Sequence, residues 1–451
     1  MQFGTDGVRG VANRELTPEL VLALGRAAAR ILEGSRFLVG RDTRLSGPLL
    51  QAALSAGLAS EGCTVVDLGV VPTPAVAFGS AADACPGAVI SASHNPFGDN
   101  GVKLFAAGGR KLDDPTEQSL EAELDRILAG HRKHAVPAGA GVGRLEPAGR
   151  VVADYEDHLV ASLEGRSLRG LRVVVDCSNG AGCHIAPRVL EALGAEVESI
   201  SGSPDGTNIN DGCGSTFPAP LQRAVVSSGA DAGLALDGDA DRVLAVDHLG
   251  ALVDGDQVLA LCAMDLRARG RLKDDTVVAT VMANLGFRRA MAAAGVKVEE
   301  TAVGDRHVLE ALARGGWSLG GEQSGHIIFS DLATTGDGIL TGLLALDVVA
   351  RSGRSLAELA GQVMERLPQV LHNVVVPAGR GTTEVMELLR PAVDAAAAEL
   401  GDGGRALVRP SGTEPLVRVM VEAATEEMAE ATAARLVAEV ERVCQEANAA
   451  R

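Results

Sequence analysis

The sequence predicts an α/β protein: three similar α/β domains with mixed, mostly parallel sheets plus a C-terminal α+β domain, arranged around a central cleft. Three observations predict it. Apolar strand runs alternate with amphipathic helices in three successive passes through residues 1–368. Each pass closes on a strand that runs into a loop of small and polar residues, the place where open α/β sheets bind ligands. Residues 369–451 break the pattern, with strands that read as antiparallel and two longer helices. The expected domains are 1–150, 151–252, 253–368 and 369–451.

The first pass opens with a helix at Thr17-Pro18, Thr as N-cap and Pro at the first helical position, with apolar positions at helical spacing to Ile31. A buried-strand run, Phe37 to Val39, ends in GRDTR, and a helical stretch begins at Ser46. Strands at Cys63–Val71 and Gly87–Ile90 follow, the latter ending in SASHNP. In the second pass, strands at Leu171–Val175, Glu196–Ile200 and Ala232–Leu236 frame a helix at Ala186–Leu193 and end in DGDADR. The third runs Thr276–Val281, Val296–Glu299 and Ser318–Leu319 into GGEQSGH. The repeat is structural, because the passes share little sequence. In the last domain, strands at Asn373–Val376, Arg405–Val408 and Leu416–Val421 accompany helices at Thr383–Leu400 and about Glu426–Ala447, the former split or kinked at Pro391. Linkers are expected near 137–150 and 368–380.

Composition narrows the function. A net charge of −18 over 451 residues argues against nucleic-acid or anionic-membrane binding. Aromatics are 2% of the chain, so bases have no ladder of stacking platforms and the core must be aliphatic. Seven cysteines without a CxxC pair read as free thiols of a reducing cytosol. The start, MQFGTDGVRG, lacks an apolar signal region, and no apolar run reaches the ~18 residues of a membrane helix. Five of the 41 basic residues are lysines, so Lys103 is more informative than any single Arg.

The strongest chemical signal is Asp237-Gly-Asp239-Ala-Asp241-Arg242. Three carboxylates at i, i+2 and i+4 on a tight loop repel one another unless a hard cation neutralises them. The EF-hand pattern fails, since Arg242 and His248 stand where Gly and Glu belong. Mg²⁺ accepts few protein ligands and takes phosphate oxygens as well, so the loop suggests Mg²⁺ beside a phosphoryl group. The competing reading is a solvated acidic turn. Ser91-Ala-Ser93-His94-Asn95-Pro96 puts Ser93 on an irregular loop ahead of Lys103, without the GxSxG of a hydrolase elbow. Arg409-Pro-Ser411-Gly412-Thr413-Glu414-Pro415, with Arg418, offers the hydroxyls, loop N–H groups and guanidinium forks that hold a phosphate monoester, or else forms a polar turn. Glu322-Gln323-Ser324-Gly325-His326 suits sugar hydroxyls, and His326 reads equally as a core histidine or a proton shuttle. There is no Gly-Lys dipeptide and hence no P-loop, and Ile185 replaces the third glycine of a dinucleotide fingerprint.

Together these loops resemble the α-D-phosphohexomutase superfamily, and within it the branch that handles glucosamine phosphates. The resemblance spans essentially the whole chain in the family's order: Phe3-Gly-Thr-Asp-Gly-Val-Arg9-Gly, Gly40-Arg-Asp-Thr-Arg44-Leu-Ser-Gly47, the serine and aspartate loops, Val303-Gly-Asp-Arg306, GGEQSGHI and RPSGTEP. Gln323, Asn208-Ile-Asn210 with Cys213-Gly214, and Thr334-Thr-Gly-Asp-Gly338 resemble the glucosamine branch, whereas phosphomannomutase/phosphoglucomutase relatives usually carry Met in place of Gln323. Departures are Ser91 where Thr is common, and Cys213-Gly-Ser-Thr216 for Cys-Gly-Ala-Thr.

The resemblance implies an isomerase-class phosphotransferase that interconverts glucosamine 6-phosphate and glucosamine 1-phosphate and supplies UDP-N-acetylglucosamine synthesis. It implies a phosphoserine at Ser93 and one Mg²⁺ per chain on Asp237, Asp239, Asp241 and an oxygen of Ser93's phosphate. Glucosamine 1,6-bisphosphate, or glucose 1,6-bisphosphate, would be intermediate or activator. Arg409, Ser411, Gly412, Thr413 and Arg418 would grip the phosphate that is not reacting, and Glu322 and Ser324 the sugar hydroxyls. Arg9, Lys103 and Arg242 would line the transfer end, with His326, then Lys103, as candidates for proton transfer. The partner is a small sugar phosphate, in the cytoplasm, without nucleic acid or membrane, and the family often forms homodimers. The nearest alternative is the same fold acting on mannose or glucose phosphates. A phosphatase with Asp237 as nucleophile, or a non-catalytic sugar-phosphate binder, leaves the other loops unexplained.

Overall fold

The computed structural model describes residues 7–131, 136–376, 382–410 and 416–449. The chain divides into two compact units, residues 1–282 with 295–363, and residues 283–294 with 364–451.

The first unit contains three sheets built on one plan. In the first, Arg36–Arg41 lies between Thr64–Val70 and Gly87–Ile90, all parallel. In the second, Arg172–Asp176 lies between Glu196–Ile200 and Ala232–Leu236, again parallel. In the third, Thr276–Thr280 lies between Lys297–Thr301 and Leu319–Gly321. The first strand of each pass is therefore central, the second sits on one side and the third on the other. The three-pass reading of the sequence holds at the level of topology.

Each sheet then adds a feature that parallel crossovers alone do not anticipate. The chain leaves the third strand through the polar loop and returns antiparallel beside it: Asp99–Ala106 on Gly87–Ile90, Val243–Asp247 on Ala232–Leu236, and Ile327–Phe329 on Leu319–Gly321. The three chemical loops are hairpin connections. This makes the sheets mixed, and it fixes both ends of each loop on hydrogen-bonded strands.

Local chemistry explains the elements. Thr17 caps the helix Pro18–Ile31, its Oγ1 accepting from Leu20 N at 3.3 Å. Val21, Leu24, Ala27 and Ala28 on one face of that helix are buried against the helix Gly47–Ser60 and the first sheet. Ala232–Leu236, an interior strand between Arg172–Asp176 and Val243–Asp247, is buried along its whole length. Asp254 and Gln257 form a reciprocal capping box at the start of Gly255–Ala268.

The second unit is α+β. Its sheet is antiparallel, with Leu416–Glu422 between Gln369–Val375 and Arg405–Pro410. Helices Thr382–Leu400 and Glu426–Ala449 contribute Val385, Leu389, Ala396, Ala433, Leu436 and Val440 to its aliphatic core. The helix is not split at Pro391 but runs through it. One lost N–H is outweighed by an apolar face buried on both sides of the proline. Glu422 is fully buried and saturated, by Arg405 Nη2 at 2.9 Å, Gln369 Nε2 at 2.8 Å and Leu285 N at 3.0 Å. That carboxylate ties the helix Leu285–Ala293 to this sheet.

Among the described residues no helix is long and apolar enough to cross a membrane. All seven cysteines are buried and none forms a disulfide.

Candidate active site

Two of the hairpin loops meet in the first unit. The aspartate loop leaves the buried strand Ala232–Leu236 and presents Asp237, Asp239 and Asp241, whose ligand oxygens lie within 4.8 Å of one another. All three are buried. Ala240 at φ 56° makes the tight turn that sends successive carboxylates inward. The serine loop supplies Ser93, 1% exposed, whose hydroxyl donates to Asp237 Oδ2 at 2.5 Å. The sequence placed the nucleophile candidate and the metal candidates in different domains; folding brings them into direct contact.

Lys103 lies on Asp99–Ala106, the return strand of the serine hairpin. Its ammonium donates to Asp239 Oδ2 at 2.6 Å and to Asp241 Oδ2 at 3.2 Å. Thr73 Oγ1 donates to Asp239 Oδ2 at 2.6 Å, and Thr73 N to the Asp239 carbonyl at 3.0 Å. The Arg242 backbone N–H donates to Asp237 Oδ1 at 3.2 Å.

These contacts split the three carboxylates. Burial raises Asp237 well above the usual carboxylate range, and the charges of Asp241 and Asp239 add to it. Burial pushes the other two up as well, but is outweighed: Lys103 and Thr73 hold Asp239 below the usual range, and Lys103, His326 and Arg242 hold Asp241 well below it. Without a further cation the cluster favours keeping a proton at Asp237, beside the serine hydroxyl.

A cation fits the donor set. Asp239 Oδ1 and Asp241 Oδ1 are buried and have no hydrogen-bond partner, a state that costs about 1–3 kcal/mol or more per charged oxygen unless something else satisfies it. The donors are all oxygen and all carboxylate, the chemistry of Mg²⁺ rather than of Zn²⁺.

The cationic residues border the serine loop. Arg9 on Val8–Val11 pairs in register with Gly101. Burial, then the charges of Arg242 and Arg9, lower the His94 imidazole to about 4, so it is neutral at neutral pH. Both guanidinium groups therefore bear on the serine loop, as an anion-handling site requires.

The third hairpin loop packs onto the second. Gly325, at φ +89°, approaches so closely that a Cβ would lie 2.1 Å from the Val243 carbonyl oxygen. Ser324 at its tip is exposed. Glu322 Oε1 accepts from Gly304 N at 3.1 Å, which links this loop to Val303-Gly-Asp-Arg306. His326 is 1% exposed. Its Nδ1 faces Asp241 Oδ1 at 3.6 Å and its Nε2 accepts from Gly336 N at 3.1 Å, which selects the neutral ring with its proton on Nδ1. Burial disfavours the imidazolium, but Asp241, Asp305 and Glu322 outweigh it and raise the ring's affinity for a second proton. As folded, His326 backs Asp241, and its two nitrogens face protein atoms.

Arg409 and Arg418 lie in the second unit as a directly opposed cross-strand pair. Ser411, Gly412 and Thr413 lie outside the described residues, as do Phe3 to Asp6.

Sequence reasoning missed the residues that support the serine loop. Asp42 and Arg44 form a buried ion pair, Ser91 Oγ donates to Asp42 Oδ2 at 2.6 Å and accepts from Ser93 N at 3.0 Å, and Asn210 reaches in from the second pass. The signals were present in GRDTR and in Asn208-Ile-Asn210. Spacing along the chain gave them no target.

Family models match the chain in order: phosphoglucomutase/phosphomannomutase α/β/α domain I over residues 1–130, domain II over 153–250, domain III over 254–367, and the C-terminal domain over 371–439. The phosphoglucosamine mutase of Frankia alni is 54% identical over 451 residues, covering 97% of each chain. That of a Nocardioides species is 55% identical over 454 residues, covering 98% of each. Among solved structures, a phosphoglucomutase/phosphomannomutase family protein from Burkholderia thailandensis superposes with a TM-score of 0.81 at 26% identity, over 98% of this chain and 96% of that one. The Aspergillus fumigatus N-acetylphosphoglucosamine mutase in complex with GlcNAc-6P and magnesium shares the fold, with a TM-score of 0.70 at 21% identity over 98% and 95%.

Proposed function

The chain belongs to the phosphoglucomutase/phosphomannomutase family, and on that footing we propose that it interconverts glucosamine 6-phosphate and glucosamine 1-phosphate through a phosphoserine at Ser93. The observation that carries the reading is the Ser93 hydroxyl 2.5 Å from Asp237 inside the buried triad. Relatives more than half identical over nearly the whole chain bear the name phosphoglucosamine mutase, which favours glucosamine phosphates over the mannose or glucose alternative.

In the proposed cycle the phosphoryl group passes from Ser93 Oγ to the 1-hydroxyl of glucosamine 6-phosphate. The P–O bond to serine breaks as the bond to the sugar forms, and the hydroxyl proton leaves to a base. The 1,6-bisphosphate then reverses. Ser93 Oγ, protonated after the first transfer, gives up that proton and takes the 6-phosphoryl group as the P–O bond to the sugar O6 breaks and O6 takes up a proton, and glucosamine 1-phosphate departs. Asp237, Asp239 and Asp241 would hold one Mg²⁺, which when bound supplies charge neutralisation for the transferred group. Arg9 and Arg242 would hold the phosphoryl oxygens by charge-assisted hydrogen bonds. His326, then Lys103, are the candidates for proton transfer: the Lys103 ammonium is the acid form, held by Asp239 and Asp241, and the His326 nitrogens face Asp241 and Gly336. Glu322 and Ser324 would take sugar hydroxyls. Arg409, Ser411, Gly412, Thr413 and Arg418 would hold the phosphate that is not transferred. Glucosamine 1,6-bisphosphate or glucose 1,6-bisphosphate would serve as activator, and UDP-N-acetylglucosamine synthesis would consume the product. Seven cysteines without a disulfide support a cytoplasmic setting. Assembly as a homodimer, with a small sugar phosphate and no nucleic acid as partner, completes the proposal.

The test has two arms. Intact mass after exposure to glucose 1,6-bisphosphate should show one phosphoryl group, absent in Ser93→Ala. The kcat/KM for glucosamine 6-phosphate should exceed those for glucose and mannose 6-phosphates. Preference for either of the latter would transfer the chain to the alternative substrate, and phosphate release without an isomeric sugar would end the mutase reading.

A further inference from the structure

The serine loop is held by two donors from different parts of the chain that converge on the same two carbonyl oxygens. Arg44 Nη2 donates to Ser93 O at 3.1 Å and to Asn95 O at 2.6 Å. Asn210 Nδ2 donates to the same atoms, at 2.9 and 3.0 Å. Arg44 is 1% exposed and its charge is matched by Asp42. Asn210 is aimed in turn by Ser178, whose hydroxyl donates to Asn210 Oδ1 at 2.8 Å.

The clamp holds a strained backbone. Ser93 has φ 51°, a left-handed conformation that non-glycine residues adopt at a cost of about 1–3 kcal/mol when the surroundings enforce it. Ser178, Asn179, Asn210 and Ala240 share this conformation, at φ 57°, 48°, 58° and 56°. All four belong to segments of the second pass that face the serine loop or the aspartate loop. A Cβ on Gly238, between Asp237 and Asp239, would lie 2.5 Å from Ser93 O and 2.8 Å from Asn210 Nδ2. The aspartate loop, the serine loop and Asn210 therefore meet at a point with no room to slide.

We propose that Asn210 and Arg44 are positioning residues for phosphoryl transfer: together they hold Ser93 in its left-handed conformation with Oγ on the aspartate triad. The proposal rests on Ser93 being the phosphorylated group. Asn210 makes the competence of the nucleophile depend on the docking of the second pass, since Arg44 alone would hold the loop without referring it to the carboxylates. Misplacing a reacting atom by ~1 Å costs on the order of 10²-fold in rate, whereas both side chains spend their amide and guanidinium groups on protein atoms of the serine loop and its supports. The signature is thus a fall in kcat with KM preserved.

The experiment compares the parent, Asn210→Ala, Ser178→Ala and Arg44→Lys. It measures steady-state kcat and KM with glucosamine 6-phosphate, the rate at which glucose 1,6-bisphosphate phosphorylates Ser93 by intact mass, and thermal unfolding. Asn210→Ala should lower kcat and the phosphorylation rate together, by roughly 10- to 100-fold, with KM within about twofold. Ser178→Ala leaves the amide in place but unaimed, and should show a smaller fall in the same two quantities; it also carries the test if Asn210→Ala does not fold. Arg44→Lys keeps the charge but loses the fork, and should fall with them. Parent-like phosphorylation and turnover in a folded Asn210→Ala, or in a folded Ser178→Ala if the former does not fold, overturns the proposal, as does a loss confined to KM. Failure of the parent itself to accept a phosphoryl group on Ser93 would instead sink the proposed function.

Discussion

Lys103→Met probes the electrostatic balance of the triad. The ammonium lies 2.6 Å from one buried carboxylate oxygen and 3.2 Å from another. At an effective dielectric constant of ~20, Coulomb's law gives about 6 and about 5 kcal/mol for the two approaches. Desolvation of the ions takes back most of that, and removing one partner of such a buried cluster costs about 3–5 kcal/mol. Methionine preserves the stem's packing, so the loss is electrostatic. A divalent cation neutralises the same carboxylates through their other oxygens, Asp239 Oδ1 and Asp241 Oδ1, and a ligand at 100 times its Kd adds about 2.7 kcal/mol to stability. The variant should therefore lose about 3–5 kcal/mol in EDTA, and the gap to the parent should shrink in saturating Mg²⁺, because removing the ammonium lets the variant bind the cation more tightly than the parent does. The pH dependence has a definite sign. Asp239 and Asp241 are held below their ordinary values, so their contribution to the parent's stability is present above the ordinary carboxylate range and lost as pH falls through the depressed folded values. The gap between parent and variant should accordingly narrow in acid. Urea unfolding of both proteins, with EDTA and with Mg²⁺, at neutral and acid pH, measures all of this. An equal loss with and without Mg²⁺, or a loss below ~1 kcal/mol in EDTA, refutes the account of the cluster.

Three further outcomes are expected. Ser93→Ala should lose roughly 10³-fold or more in turnover while its unfolding midpoint stays close to the parent's; near-normal kinetics would dismiss Ser93 as the phosphoryl carrier. Asp239→Ala should weaken Mg²⁺ binding by more than about 10²-fold by calorimetry, while the exposed Asp402→Ala should leave it unchanged, and equal effects would reject the metal loop. Asp337, buried and hydrogen-bonded by Tyr155, is raised by burial to about 6, so its contribution to stability is full below its ordinary value and is lost as pH rises through about 6; Asp337→Asn should remove up to about 3 kcal/mol of that decline, and identical pH profiles for parent and variant would contradict it.

The strands and their terminal loops were legible because buried parallel strands are short aliphatic runs and the chemistry follows them directly. Gly87–Ile90 and Ala232–Leu236 have the bounds their sequence suggests. The hairpin returns were less legible. Val243–Asp247 is as apolar as a crossover strand, and only its closeness to Leu236 reveals the antiparallel partner. Pro391 misled for the opposite reason, because a local rule about one N–H yields to an apolar face that spans it. Ser93 and the aspartates could be named from residue type and spacing. Arg44 and Asn210 could not, since what they do is defined by two carbonyl oxygens far away in the chain.

The acidity of the chain and the anionic character of its proposed substrate are reconciled at the triad. A charge of −18 repels a sugar phosphate only over distances that ~8 Å of screening allows. Within the site the sign is set locally. Lys103 offsets one of the three buried carboxylates and the raised affinity of Asp237 for a proton a second, while Arg242 and His326 face the third, Asp241. Replacing the Asp237 proton with a divalent cation would add one positive charge to the site, with Arg9 and Arg242 beside the serine loop. The loaded loop would thus attract a phosphoryl group more strongly than the metal-free one. Binding of metal and binding of sugar phosphate should then be cooperative, each strengthening the other by the same factor.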